Sequence, residues 1–358
     1  MKISFILFGE KHYSPEVKPF IMIAKGLTDL GLDVLISDAG MGHDARQYVE
    51  GIFPDIEKFD FTDKSYFRDC DYVICDDSVK GLHYVDRVKK KFNLKTVCYS
   101  QIFYGTKALR PNTSELYHNK IEELKFRFAR FLPFQLISRE YVSMMKRADI
   151  IISNSIFTEM FLYSAYGILS NGVIYPPADT MTFHISEEER RSEKVLVFLG
   201  SPQDTNPRIY FEYLHEFIKN GIEVAAFGDR RMANVISSEF RSKVQYYRDI
   251  SDIELAKLYR SVMYTFLPPT WEAFGNVGPE SLLCGTPVLI RLYQPWMEIV
   301  GENVMIRRVK SPEHIDVEVS EFKTVTIKER IEIGDKLAEQ ISYRRCANRL
   351  LSLLRSSI

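Results

Sequence analysis

Pro268-Pro-Thr-Trp-Glu272-Ala-Phe-Gly275-Asn-Val-Gly278-Pro-Glu280-Ser-Leu-Leu-Cys-Gly285-Thr-Pro-Val-Leu-Ile290 is the stretch that decides the fold. The apolar run Tyr264 to Leu267 enters it as a strand and passes into a loop with two glycines. Pro279 suits the first turn of a helix, where its missing N–H would have no partner in any case. Gly285 suits the end of that helix, where the backbone turns left-handed. Thr286 to Ile290 then reads as the next strand, so the whole is a crossover between parallel strands. Glycines let backbone N–H groups approach a ligand, and a helix N-terminus favours anionic oxygens. Glu272 and Glu280 flank the loop eight positions apart. A carboxylate on such a helix can accept from both hydroxyls of a ribose. The same residues would also make an ordinary strand–helix loop with a solvated glutamate on each side.

The same alternation fills the rest of the chain. Lys2 to Gly9 is an apolar strand closed by glycine, an amphipathic helix runs from about Pro19 to Leu30, and Asp33 to Ser37 is a second strand. Asp71 to Cys75, Lys95 to Tyr99 and Asp149 to Ser153 are short apolar runs of the kind buried in parallel sheets. Lys194 to Gly200 repeats the opening pattern of basic residue, apolar strand and glycine. A helix from Tyr210 to Lys219, a strand from Glu223 to Phe227, and Gly228 follow it. This is a second unit of the same class. The seam falls near Pro176-Pro177, since paired prolines extend neither a helix nor a central strand. The expected organisation is residues 1–180, then 181–337, then a terminal helix within 338–358.

Bulk properties agree with this. At 358 residues the chain exceeds one ordinary core, and 46% hydrophobic with 27% charged residues is a globular balance. A net charge of −1 gives no global attraction to nucleic acid. The five cysteines (Cys70, Cys75, Cys98, Cys284 and Cys346) are odd in number and irregularly spaced, which favours small apolar roles in a reducing cytosol over zinc or disulfides. No apolar run is long enough to span a bilayer. Ile3 to Phe8 reads as a buried strand rather than a signal peptide.

The opening stretch resembles the Glu-x7-Glu motif of retaining GT-B glycosyltransferases, glycosyltransferase family 4 in particular. Glu272, Phe274, Gly275, Val277, Glu280, Gly285, Pro287 and Val288 fit it. Arg147 to Ser155 with Phe157 and Tyr166-Gly167, Val173 to Asp179 with Phe183, and Ile250 to Tyr259 resemble further family segments, so the likeness covers most of the chain. It implies an α/β GT-B fold, two Rossmann-like domains whose parallel sheets face a central cleft, with Ala338 to Leu354 crossing back to the first domain. It implies transfer of a sugar from a nucleotide sugar with retention, without metal or cofactor. Glu280 would bind the ribose hydroxyls, and Gly275, Asn276 and Val277 the diphosphate and sugar. Glu272 would stand beside the sugar. Gly200 and Ile250 would line the donor pocket. The acceptor, a glycan, lipid-linked molecule or protein, would meet the first domain near Gly9, Gln101 and Tyr104.

Three departures stand out. The family's Gly-Arg and following Lys are missing after Gly200, where Ser201 follows. Arg208 is the expected phosphate clamp, because a guanidinium matches phosphate bidentately, with Arg230 and Arg231 as rivals. Gln101 stands where the family often has His. Gly9 to Pro19 replaces a Gly-Gly loop.

Other signals lead elsewhere. Gly40-Met-Gly42-His-Asp-Ala45 loosely matches a dinucleotide fingerprint, but it follows the second strand rather than the first. Lys125, Phe126, Arg127, Phe128, Arg130, Phe131 and Phe134 form a basic, aromatic run. It could suit an anionic membrane face, but a half-buried helix with a solvated basic side is the preferred reading. Asp69-Cys-Asp71 is a DxD triplet, but it precedes a strand, and ligands bind beyond strand ends. The expected setting is cytoplasmic, with the inner membrane face as an alternative. A nucleotide-sugar-binding protein that no longer turns over remains an alternative function, with a GT-B-type nucleotide-sugar epimerase and an NAD-dependent oxidoreductase behind it.

Overall fold

The computed structural model describes residues 1–6, 17–37, 49–51, 54, 57–59, 64–101, 134–186, 191–200, 207–240, 243–248, 250–268, 272–322 and 324–356. The chain divides into two compact units. The first holds the described residues of Met1–Ala108 and Phe128–Pro177 together with Gln340–Ile358, and the second is Ala178–Glu339.

The first unit is built on β1 (Lys2–Ile6), β2 (Asp33–Ser37), β3 (Glu57–Phe59), β4 (Tyr72–Asp76), β5 (Lys95–Ser100), β6 (Ile150–Ser153) and β7 (Gly172–Val173). Their order is β3-β2-β1-β4-β5-β6-β7, and each pairing is parallel. Both faces of this sheet are covered, which is why its strands are apolar throughout. Helix α1 (Lys18–Asp29) belongs to one core with Ile3, Phe5, Phe20 and Leu27. Helices α2 (Val79–Phe92), α3 (Phe134–Met145) and α4 (Ile156–Tyr166) supply Leu82, Val85, Tyr141, Met145 and Leu162 to the other. Ser78 and Ser155 cap α2 and α4 by accepting from Gly81 and Thr158 N–H groups.

The second unit carries β8 (Ser192–Leu199), β9 (Glu223–Gly228), β10 (Val244–Tyr247), β11 (Val262–Leu267), β12 (Val288–Ile290) and β13 (Ile306–Arg308). Their order is β10-β9-β8-β11-β12-β13, again parallel throughout. Helices α5 (Pro207–Lys219), α6 (Arg230–Phe240), α7 (Asp252–Ser261), α8 (Val277–Leu283) and α9 (Met297–Val300) connect them, and α10 (Ile315–Phe322) follows the last strand. Strand order reverses between β8 and β11, so these two strands open a crevice at their carboxyl ends.

The C-terminal helix differs from the single run expected from Ala338 to Leu354. Helix α11 (Ile327–Ile341) ends before Ser342, and α12 (Tyr343–Ser356) begins after it. The boundary between the units falls between Glu339 and Gln340, in the last turn of α11 and just ahead of the break. Gly334 of α11 lies near Leu282 and Leu283. Helix α12 buries Cys346, Ala347, Leu350, Leu351 and Leu354. Gly26 of α1 permits that close approach, since a Cβ there would sit 2.6 Å from Ala347 Cβ and 2.8 Å from the Tyr343 carbonyl oxygen. Tyr72 donates its hydroxyl to the Leu354 carbonyl at 2.8 Å, tying the helix end to β4.

All five cysteines are buried and free. Among the described residues, no helix is long and apolar enough to cross a membrane.

Candidate functional site

The strand reversal between β8 and β11 brings the sequence-predicted residues of the second unit to one sheet edge. After β11 the chain passes Glu272, Ala273 and Phe274 and reaches Gly275, whose φ of 84° is the left-handed region that favours glycine. Asn276 enters α8 without a side-chain cap. Gly278 sits in the first turn beneath the buried Trp296. A Cβ on it would lie 2.5 Å from Trp296 Cζ2 and 2.6 Å from Nε1, so the loop height depends on glycine here. The Trp296 ring also backs Gly275, 3.6 Å from where its Cβ would stand, and the Glu272 side chain lies at 3.5 Å from that point. Glu272 is partly exposed.

Glu280 lies in the first turn of α8 and is only 5% exposed. Its neighbour is Tyr259 of α7, whose hydroxyl is buried and finds no hydrogen-bond partner among the described residues. Burial pushes that phenol well above its ordinary range, and the Glu280 charge pushes it the same way. A carboxylate withdrawn from water in this manner has strong acceptor capacity for a ligand that reaches it. Helix α7 is fixed by a capping box: Ser251 Oγ accepts from the Glu254 N–H, and Glu254 Oε2 accepts from the Ser251 N–H at 2.8 Å. Ile250, which precedes the cap, is partly buried at the entrance to that helix.

On the other side of the reversal, β8 ends at Gly200. Its N–H already donates to the Tyr210 hydroxyl at 2.7 Å, so at Gly200 the glycine supplies close packing rather than a free donor. Arg208 is the second residue of α5, whose first turn has no acidic residue. Its Nε meets Glu212 Oε1 at 3.1 Å, and its side chain is 82% exposed. Of its rivals, Arg231 pairs with Asp229 at 2.6 Å and Arg230 is exposed at the start of α6.

Gln101 belongs to the first unit. It is buried just beyond β5, with its N–H 3.4 Å from Asp77 Oδ1. Asp77 also accepts from Ser100 Oγ at 2.8 Å and the Tyr141 hydroxyl at 3.1 Å, a buried polar cluster that the sequence did not single out. Gly9, Tyr104, Ser201, the Gly40–Ala45 stretch and the run from Lys125 to Phe131 lie outside the described residues. Asp69 and Asp71 are exposed at the amino end of β4, where Asp71 Oδ2 accepts the Lys2 N–H at 2.8 Å. Among the described residues, no group of three His, Cys, Asp or Glu could hold a metal ion.

No family model matches the chain. No curated protein matches it either. Solved structures do. HepE from Anabaena in complex with UDP-glucose is similar over 99% of this chain and 100% of its own, with a TM-score of 0.73 at 14% identity. Sucrose-phosphate synthase from Thermosynechococcus elongatus gives 0.72 at 12% identity, covering 99% of each chain. An alpha-glucosyltransferase in complex with UDP gives 0.63 at 11% identity, over 99% of this chain and 100% of that one. At such identities the likeness speaks for architecture. The two parallel α/β units of this chain have the GT-B fold found in these glycosyltransferases.

Proposed function

We propose that the chain is a glycosyltransferase that moves a hexosyl-type sugar from a nucleotide-activated donor to an acceptor, retaining the anomeric configuration and using no metal or cofactor. The observation that carries this reading is the buried Glu280 carboxylate in the first turn of α8, directly after the left-handed Gly275, at the strand reversal of the second sheet. The GT-B fold and the UDP or UDP-glucose bound by structural neighbours support it.

In this reading Glu280 accepts from both ribose hydroxyls, which a carboxylate can do with its two oxygens. Gly275, Asn276 and Val277 offer main-chain groups to the diphosphate and sugar, and Glu272 stands beside the sugar. Arg208, at the start of α5, meets the developing charge on the leaving phosphate. That phosphate takes the acceptor hydroxyl's proton on the same face, so configuration is kept. Gly200 and Ile250 shape the walls. The acceptor, a glycan, lipid-linked molecule or protein, meets the first unit around Gln101, Gly9 and Tyr104. A cytoplasmic setting with peripheral contact to an anionic membrane completes the proposal.

The test is a thermal-shift screen of nucleoside diphosphates, followed by product analysis with the matching sugar nucleotide. A ligand at about 100 times its Kd should stabilise by about 2.7 kcal/mol. A screen in which no nucleotide or sugar nucleotide raises the unfolding temperature defeats the reading. Release of free sugar or an epimer, with no transfer to any acceptor, replaces transferase by a non-transferring activity.

A further inference from the structure

The described cations near the carboxyl edge of the six-stranded sheet differ in one respect. Arg208 and Arg231 are engaged by Glu212 and Asp229 on the solvent side, and Arg230 is exposed. Arg291 is held by the fold itself. It follows β12 directly, two strands from β8 in the order β8-β11-β12. At the usual spacing the ends of β8 and β12 are about 9.5 Å apart, and the Glu272–Val277 loop leaves the strand between them.

Side-chain alternation fixes which face Arg291 occupies. Phe266 and Leu289 are register partners on β11 and β12. The Phe266 ring packs on Tyr213 of α5 with centroids 4.8 Å apart. Arg291 lies two residues beyond Leu289 and shares that face. There the guanidinium faces the Tyr213 hydroxyl closely enough to bear on its ionisation. Burial pushes that phenol up and Arg291 pulls it back down. The same hydroxyl donates to the Val309 carbonyl at 3.4 Å. The guanidinium thus stands beside a hydroxyl that the fold holds in place. Its Nη1 is buried and has no hydrogen-bond partner among the described residues. A buried guanidinium N–H without an acceptor is costly, and an anion with several oxygens offsets that cost.

We infer that Arg291 is a binding residue for the diphosphate of a nucleoside-diphosphate donor, reaching it from the end of β12 in addition to the exposed Arg208. Tyr213 is its positioning residue. The inference rests on the nucleotide-sugar reading above and deepens it.

Isothermal titration of wild type, Arg291→Gln and Tyr213→Phe tests it. The probes are ADP, GDP, dTDP and UDP, each beside its parent nucleoside. For the diphosphate that wild type binds best, Arg291→Gln should lose about 10- to 100-fold in affinity while the nucleoside changes by less than about twofold. Tyr213→Phe should shift the diphosphate in the same direction by a few-fold. Diphosphate binding by Arg291→Gln within about twofold of wild type overturns the assignment and leaves the nucleotide site standing. Equal losses for diphosphate and nucleoside also overturn it. Wild type that binds none of the four overturns the reading beneath it. Should Arg291→Gln fail to fold by circular dichroism, Arg291→Lys keeps the charge but not the fork. Its diphosphate affinity should fall several-fold, and an unchanged value counts against the role.

Discussion

Replacing Glu280 by glutamine isolates the charge of the proposed ribose acceptor. The side chain is 5% exposed in the first turn of α8, so glutamine's equal volume preserves the packing that alanine would hollow out. What changes is one formal charge and one oxygen. Hydrogen bonds to a charged group are worth about 1.5–3 kcal/mol and neutral ones about 0.5–1.5, so two ribose hydroxyls together should lose about 2–3 kcal/mol. That corresponds to a roughly 30- to 150-fold weaker Kd. Stability should move little: about 1 kcal/mol shifts the melting point of a unit this size by about 2–4 °C. Titration calorimetry with UDP and 2′-deoxy-UDP on both proteins gives the comparison. Removing the 2′-hydroxyl and removing the charge should be non-additive, because each deletes the same interaction. Glu280→Gln that binds UDP as tightly as wild type, or that still discriminates fully against the deoxy ligand, refutes the assignment.

Four further outcomes are expected. Glu272→Ala should weaken UDP-glucose more than UDP in calorimetry, since its side chain lies beside Gly275 where the sugar is proposed to sit; equal losses would remove that role. Gly278→Ala should cost about 1–3 kcal/mol in urea unfolding, because the new methyl overlaps the buried Trp296 ring, and the tryptophan emission should shift with it. Asp149 is raised by partial burial but drawn below the usual carboxylate range by Lys89 and by the Thr96 N–H and hydroxyl. The stability it contributes is therefore present above about pH 4 and lost as pH falls through its folded value. Asp149→Asn should cost about 1–2 kcal/mol near neutrality, discounted for its partial exposure, and should converge with wild type below about pH 3 in thermal unfolding. Exhaustive EDTA treatment should leave transfer unchanged and Asp69→Ala should be nearly silent; activity that vanishes with chelator and returns with Mn²⁺ would reverse the metal-free proposal.

Much of the sheet framework is legible in the sequence because parallel strands buried on both faces are short, apolar and closed by glycine or serine. Lys2, Asp33, Lys95 and Glu223 each begin the strand that the pattern places there. The loop from Glu272 to Gly278 is legible for a different reason: Gly275 and Gly278 are required by a left-handed turn and by an indole packed against the backbone. The indole itself is not legible. Trp296 lies eighteen positions after Gly278, and nothing local says which backbone it will cover. Arg291 and Tyr213 escape for the same reason, since strand alternation on β12 has to meet helix periodicity on α5 before the pair exists. The Ser342 break is hidden because Ala338 to Leu354 keeps a helical pattern, while the change from one unit to the other is defined only by the fold.

The helix that carries Glu280 is pinned at its far end by polar contacts. Ser281 Oγ bonds Thr265 Oγ1 at 2.8 Å and donates to the Thr286 carbonyl at 3.1 Å. Thr286 Oγ1 donates to the Tyr259 carbonyl at 2.6 Å. Arg191 donates to Thr286 Oγ1 and, at 3.1 Å each, to the Val262 and Cys284 carbonyls, while Arg330 donates to the Gly285 carbonyl. These bonds join α8 to β11, β12 and α7 behind Glu280. They satisfy backbone acceptors at the end of a seven-residue helix, where several carbonyls have no intrahelical partner. The consequence for binding is preorganisation: a carboxylate whose helix is already fixed loses little entropy when a ligand arrives. The opposite arrangement holds at Arg208, whose side chain is exposed and paired only with Glu212, so in the proposed role a phosphate would have to order it. If the proposed roles hold, the fixed groups, Glu280 for the ribose and Arg291 for the diphosphate, would be met first, and the exposed Arg208 would close on the phosphate afterwards.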